Sequence, residues 1–296
     1  CSSHPNNAAP RRFSNDAAVR AACIAAGVPA NGSYQQANAQ ISVITGGNEN
    51  LDPETSKSWV FGGVYSPSWL PRFSVEANWY KIKVDGAIQA IPRPTTVLNC
   101  LLTNDPATCA LVTRAGPQAE LIEVQGFLQN IAAIKTKGID LNVTYRTAQT
   151  GFGTFGFTWN NTFLRNFDVI VPGPTGPDLL SREGTQVGAP AQAFPKWKSI
   201  GIVDWNMNNF GATLTGRYVS KLKEVGGQVM DSVFYTDAQV RFTPSLWNDR
   251  FGIAIGANNL FDVKTPGCVS CESNNFSQTV HDLPGRYYYA RISFGL

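Results

Sequence analysis

The feature that most constrains this chain is a period of two that recurs along it, broken by connections that are short and long in strict turn. In 250–266, RFGIAIGANNLFDVKTP, Phe251, Ile253 and Ile255 share one parity while Gly252, Ala254 and Gly256 share the other. That is the signature of a strand with a single apolar face. In the last strand Tyr288, Ala290, Ile292, Phe294 and Leu296 oppose Arg291, Ser293 and Gly295. Leu214 and Tyr218 oppose Thr213, Thr215 and Arg217, and Phe234, Ala238, Val240 and Phe242 oppose Asp237, Gln239 and Arg241. Ile139, Leu141, Val143 and Tyr145 oppose Asp140, Asn142, Thr144 and Arg146. One face is apolar with aromatic ends, and the other is polar and in part charged.

The connections give the topology. Strand 55–65 turns through SPSWLPR into strand 73–84, and a Pro-rich, Cys-bearing stretch with a small extra strand then leads to strand 136–147. AQTGFG is short; strand 154–167 leads into a long Pro/Gly-rich segment; strand 196–205 turns through NMNNF into strand 211–222. A moderate loop around Gly226 and Gly227 follows, then strand 233–242, the turn TPSLWND, strand 250–258, a long loop and the last strand from Arg286. This predicts nine strands in an up-and-down antiparallel sheet, with tight turns at one rim and long loops at the other.

Alternation alone does not tell which solvent the apolar face meets. A soluble barrel turns it inward, and a membrane barrel turns it to lipid around a polar lumen. Several strands reach ten or more residues, long against the five or six of soluble strands and enough to cross a bilayer at a tilt. Trp59, Tyr65, Trp69, Trp159, Trp197, Trp205, Phe210 and Trp247 lie near strand ends and suit interfacial girdles, although each taken singly fits a core aromatic equally well.

Composition excludes more than it assigns. The 296 residues are 43% hydrophobic, enough for one large β domain or two smaller ones. A net charge of +3 with dispersed Lys and Arg gives no nucleic-acid footprint. No apolar run approaches the length of about 18 residues that a spanning helix needs. The opening CSSHPNNAAPRR has no apolar signal region, so the chain is processed, cytoplasmic or not a complete gene product.

The six cysteines fall as three local pairs, Cys1 with Cys23, Cys100 with Cys109, and Cys268 with Cys271. Structural disulfides pinning long loops in an oxidising compartment are the economical reading. The CVSC stretch lacks the βαβ context of a redox dithiol. Cys1 could carry a lipid, but Cys23 offers it a disulfide partner. A zinc site would need more ligands than His4 and His281, both read here as solvated loop residues, so no metal is expected. No nucleophile elbow, HExxH or phosphate loop is present, and His281 beside Asp282 with serines nearby is a weak match to a triad. Neither a catalytic site nor a cofactor is expected.

Four stretches, in this order, carry a family resemblance: GGNENLDPETSKSWVFGGVYSPSWLPRFSVEANWYKIKVDGAI, TKGIDLNVTYR, GANNLFDVKTP and DLPGRYYYARISFGL. Over about 41–296 the chain resembles the carboxy-terminal part of a TonB-dependent outer-membrane receptor. The resemblance implies an all-β, antiparallel up-and-down transmembrane β-barrel, here the C-terminal strands of a plugged barrel of about 22 strands. It implies uptake of a scarce nutrient such as a siderophore, cobalamin or an oligosaccharide across the outer membrane of a Gram-negative bacterium. The implied partners are outer-membrane lipid, the receptor's own plug domain, TonB and the nutrient ligand.

Two departures from the family accompany it. Nine strands is an odd number, and bacterial single-chain barrels close with an even one; the plug, the TonB box and the first part of the barrel have no counterpart here. The chain is therefore expected to be a carboxy-terminal portion of a longer receptor, with 1–54 an external loop region and 55–296 the barrel strands and loops. Leu296 also stands where the family usually ends in an aromatic residue. Loops 1–47, 85–120, 171–194 and 263–283 are candidate lids or ligand contacts. Arg146, Arg217, Asp237, Arg241 and Arg291 are candidate lumen-facing residues that hold the plug, line the route or simply keep the wall polar. The competing readings are an unplugged porin and a secreted β-sandwich or lectin-like binding protein.

Overall fold

A computed structural model describes residues 1, 13–36, 41–91, 93–173, 176–187, 192–224, 226–245, 251–271 and 275–294. His4, Trp247 and Leu296, named above, lie outside the described residues. In chain order the elements are α1 (Ala17–Ala25), β1 (Ser42–Ile44), β2 (Thr55–Tyr65), β3 (Phe73–Ala90), α2 (Arg93–Thr103), α3 (Pro106–Cys109), β4 (Val112–Ala115), β5 (Glu120–Gln125), β6 (Leu128–Arg146) and β7 (Thr154–Gly173). They continue with β8 (Gly176–Ser181), β9 (Thr185–Val187), β10 (Gln192–Ala193), β11 (Trp197–Met207), β12 (Phe210–Val219), β13 (Leu222–Glu224), β14 (Val229–Met230), β15 (Val233–Phe242), β16 (Phe251–Asn258) and β17 (Tyr287–Phe294).

The nine expected strands form one sheet in the order β17-β16-β15-β12-β11-β7-β6-β3-β2, a meander in which each strand pairs with its neighbours in the chain, and β8 pairs with β7. The sheet is open at β2 and β17, as a part of a barrel must be. Three strands outrun their sequence-based bounds: β3 continues to Ala90, β6 begins at Leu128 and β7 reaches Gly173. The hydrophobic alternation that marks the rest of each strand fades in these extensions, which is why sequence reading stops short of them.

Register turns the parity pattern into two continuous faces. Phe157, Val203, Leu214, Ala238, Ala257 and Tyr288 are successive cross-strand partners from β7 to β17. The adjacent row of the same parity is Phe155, Trp205, Ala212, Val240, Ile255 and Ala290. The large apolar side chains of these rows on β12 to β17 stay open to their surroundings, Ile255 at 57% and its neighbour Ile292 at 73% exposed, where a protein core would bury them. The face is therefore an apolar exterior, the arrangement of a barrel wall that meets lipid.

Aromatic clusters bound this face at both ends. At the long-loop end the Trp197 ring lies 5.7 Å from Phe163 and 4.6 Å from Tyr218. At the tight-turn end Phe210 and Phe242 lie 4.8 Å apart. Three indole N–H groups of this face find acceptors: Trp159 Nε1 donates to Ser199 Oγ (2.8 Å), Trp197 Nε1 to Asn161 Oδ1 (3.0 Å) and Trp205 Nε1 to the Phe152 carbonyl (2.7 Å). An unsatisfied donor in an apolar medium costs a few kcal/mol, so Asn161 and Ser199 are polar residues on an apolar face for a reason.

The chain divides into two compact units. The first comprises 1–57, 83–134 and 168–180, and the second 58–82, 135–167 and 181–296. In the first unit, α1 is capped by Asp16, whose carboxylate accepts from the N–H groups of Ala18 and Val19 at 3.0 and 3.1 Å. Asp105 caps α3, where Pro106 occupies the first turn. Phe13, Val19, Cys23, Val28 and Tyr34 make a small core against Leu98, Leu101 and Leu102 of α2. Disulfides Cys1–Cys23 and Cys100–Cys109 tie the segments, and β1-β5-β4 form a three-stranded sheet. These helices are absent from the sequence reading, which placed the cysteines in irregular loops.

Candidate functional site

The second face of the sheet in the second unit is polar, and one connection folds down onto it. Residues Asn206, Gly211, Arg241, Ala254 and Arg291 form one cross-strand row, and Ile202, Thr215 and Asp237 form another. Tyr289 lies on the same face opposite Gly256, where a Cβ would come within 2.4 Å of its ring. Only glycine leaves room for that ring to lie flat across the sheet.

Arg217 organises the centre of this face. Its Nε and Nη2 donate to Asp237 Oδ2 and Oδ1 at 2.7 and 3.1 Å, and its Nη1 donates to Asp282 Oδ2 at 2.7 Å. The guanidinium also sits 5.1 Å from the centroid of the Tyr235 ring. A planar cation with five fixed donors suits this double-carboxylate arrangement, for which lysine would be a poor substitute. Asp237 Oδ1 also accepts the Asn259 N–H at 2.8 Å, and Asn259 bonds both the N–H and the carbonyl of Val263 at 2.9 Å. The start and the end of the β16–β17 connection are thus both held to β12 and β15.

His281 lies in this connection and is buried, contrary to its reading as a solvated loop residue. Its Nδ1 is 3.2 Å from the buried Tyr235 hydroxyl. Burial pushes the imidazole below its ordinary pKa, and the neighbouring Asp282 carboxylate opposes that shift. Sequence gives no sign of this, because Tyr235 is remote in the chain and nothing in VHDLP requires a partner. The nearby Ser277 donates to Gln186 Oε1 at 2.6 Å, so His281 and Asp282 are committed to loop docking and no triad forms with it.

Further along, β9, β10, β13 and β14 make a small sheet. Leu222 and Met230 pack with the Cys268–Cys271 disulfide in a buried cluster. Glu224 Oε2 accepts the Ser270 N–H at 2.7 Å. Between the docked segment 278–282 and the sheet lies a cavity of about 730 Å³. Most of its lining residues carry amide, hydroxyl or charged groups, among them Glu76, Asn78, Asp140, Asn142, Asn160 and Lys198, interleaved with apolar surface from Leu141, Ile200 and Val280. Such a lining offers donors and acceptors in dense array and suits a hydrated or strongly hydrogen-bonding occupant. Among the described residues no cluster of three or more metal-ligating side chains occurs.

Of the charged residues singled out from sequence, Arg217 and Asp237 are joined. Arg241 pairs with Asp204 at 3.6 Å and donates to Asn206. Arg146 and Arg291 are exposed on their strands, with no side-chain partner among the described residues.

The sequence matches the family model described as "TonB dependent receptor-like, beta-barrel" over residues 12–260, and the chain belongs to that family. The family comprises transporters rather than enzymes. Similar solved structures include the FrpB iron transporter from Neisseria meningitidis (16% identity, TM-score 0.51, covering 86% of this chain and 32% of that one). The ferric enterobactin receptor PfeA from Pseudomonas aeruginosa matches at 14% identity and TM-score 0.55, covering 83% and 32%. The outer membrane transporter YddB from Escherichia coli matches at 10% identity and TM-score 0.56, covering 87% and 35%. The chain therefore spans about a third of the length of the solved structures it matches. No curated protein matches the sequence.

Proposed function

We propose that this chain supplies part of the barrel wall and external loops of a receptor that takes up a scarce nutrient, a siderophore, oligosaccharide or similar molecule, across the outer membrane of a Gram-negative bacterium. In this reading residues 55–296 form wall and loops, 1–54 belong to an external loop region, and a plug and a TonB-contacting segment complete the receptor. The observation that carries it is the two-faced sheet: an apolar exterior girdled by aromatics, and a polar face on which the β16–β17 connection is docked. Arg146, Arg217, Asp237, Arg241 and Arg291 then face the lumen, where Arg217 and Asp237 hold a loop and Arg146 and Arg291 remain available to a plug. The cavity beneath 278–282 lies on the proposed route and offers a passing ligand hydrogen bonds in place of water.

The test uses the full-length receptor. It should fractionate with outer membranes, migrate on gels in a heat-dependent way, and leave planar bilayers in potassium chloride without steady conductance. Cells should need TonB for its nutrient-dependent growth. Steady conductance with TonB-independent growth would replace this reading with the porin. Recovery from the soluble periplasm would end both.

A further inference from the structure

The exterior face carries a group of cations that the transport reading leaves unused. On β6, Lys135 and Lys137 share the parity of Ile139, Leu141, Val143 and Tyr145, and on β7 Arg165 shares that of Phe157, Trp159 and Phe163. Thr136 Oγ1 donating to the Asn166 carbonyl, the Tyr145–Phe157 ring contact and the Thr147 N–H to Phe155 carbonyl bond fix one register, with Lys137 opposite Arg165 and Ile139 opposite Phe163. The Arg146 N–H to Arg72 carbonyl bond, with the Tyr80 hydroxyl lying over Gly138, aligns Lys81 of β3 with Lys137. Ser66 Oγ donating to Ser74 Oγ aligns Trp59 of β2 with Lys81.

The result is a row, Trp59, Lys81, Lys137 and Arg165, one step toward the long-loop rim from the aromatic row Phe61, Trp79, Ile139, Phe163 and Trp197. Neighbouring strands lie about 4.8 Å apart, so the three cations span roughly 10 Å, and Lys135 stands about 7 Å further toward the rim. Lys81, Lys135, Lys137 and Arg165 are all exposed. None has an ion-pair partner among the described residues, whereas Lys83 on the same strand is paired with Asp85 at 2.6 Å. No Asp or Glu shares the outward parity within 58–65, 73–82, 135–146 or 154–167.

Unpaired cations one step beyond an aromatic belt are where headgroups meet a membrane protein, with aliphatic stems along the apolar face and charges reaching the polar layer. We infer that Lys81, Lys137 and Arg165, with Lys135 behind them, bind a phosphorylated lipid headgroup in the leaflet at the long-loop rim. The inference rests on the outer-membrane reading. Each cation near an anionic surface contributes about 1 kcal/mol, so three give roughly a hundredfold preference for an anionic over an uncharged lipid.

The test is native mass spectrometry of the full-length receptor in detergent, mixed with bisphosphorylated lipid A or its dephosphorylated form, for the native protein, K81Q/K137Q/R165Q and the charge-conserving K81R/K137R. Expected are retention of bisphosphorylated lipid by the native protein and by K81R/K137R, at least tenfold less by the Gln variant, and little retention of dephosphorylated lipid by any. Equal retention by the Gln variant, or of the dephosphorylated lipid, would overturn the inference. Heat-dependent gel migration is scored alongside. If only the Gln variant loses it, R165Q alone decides, with a severalfold loss of phosphorylated lipid expected and none overturning the proposal. If the native receptor itself lacks heat-dependent migration and leaves the outer membrane, the transport reading fails first.

Discussion

Two sets of connections are secured by different chemistry. The segments around α1, α2 and β5 rely on two disulfides and a small apolar core, supplemented by Gln36, which exchanges hydrogen bonds with the backbone of Leu121. The β16–β17 connection relies on Arg217, Asp237, Asn259, Tyr235 and His281, and its one disulfide closes only a short ring. The first is a covalent device that tolerates changes of charge. The second is a polar device set on a wall whose hydrogen bonds and charges decide whether it holds, so the two should respond to different perturbations.

Reduction should separate them most sharply. Disulfides closing loops of this size contribute about 2–3 kcal/mol each, so reductant should raise hydrogen exchange strongly in 13–34 and 98–110 while leaving 277–284 nearly unchanged. Arg217→Ala should do the opposite. It leaves Asp237 and Asp282 facing each other on a half-buried surface, and an effect of about 2–3 kcal/mol after allowance for solvent screening should appear as faster exchange in 277–284 alone. Asn259→Ala removes the bonds to Val263 and should cost about 1–2 kcal/mol, loosening the start of the connection more than its end.

The smallest effect should come from pH. His281 is held below its ordinary pKa when docked, so the undocked loop takes up a proton first as pH falls. Docking should be fully present above about pH 6.5 and weaken as pH drops through the ordinary histidine range toward the lower docked value. Exchange in 277–284, corrected for intrinsic rate, should therefore accelerate on acidification, and His281→Gln should abolish that acceleration.

The strands were legible because alternation is local: each parity pattern lies within ten residues and needs no knowledge of the partner. The helices were not, because AAVRAACIA and RPTTVLNCLLT are short and their apolar side chains are covered only by segments distant in the chain, Val19 and Cys23 of the one meeting Leu98, Leu101 and Leu102 of the other in one small core. The fate of His281 was hidden for a related reason, since its burial depends on Tyr235, Arg217 and a loop conformation that no stretch of sequence encodes alone. Asn161 and Ser199 break the apolar parity in sequence and become intelligible only when the indoles of Trp197 and Trp159 reach them across the strands. The charged residues of the polar face were visible by parity, but their division into joined residues, Arg217 with Asp237, and exposed ones, Arg146 and Arg291, required the register.

In a barrel wall the apolar face of the sheet meets lipid and the other face meets water. Single spin labels at Leu214, Val240 and Ile255, and at Thr213 and Gln239, in the full-length receptor in bilayers would measure contact with lipid-soluble oxygen against a water-soluble nickel chelate. Period-two alternation is expected, with oxygen favoured at Leu214, Val240 and Ile255 and the chelate favoured at Thr213 and Gln239. An inverted pattern, or none, would contradict a lipid-facing apolar face.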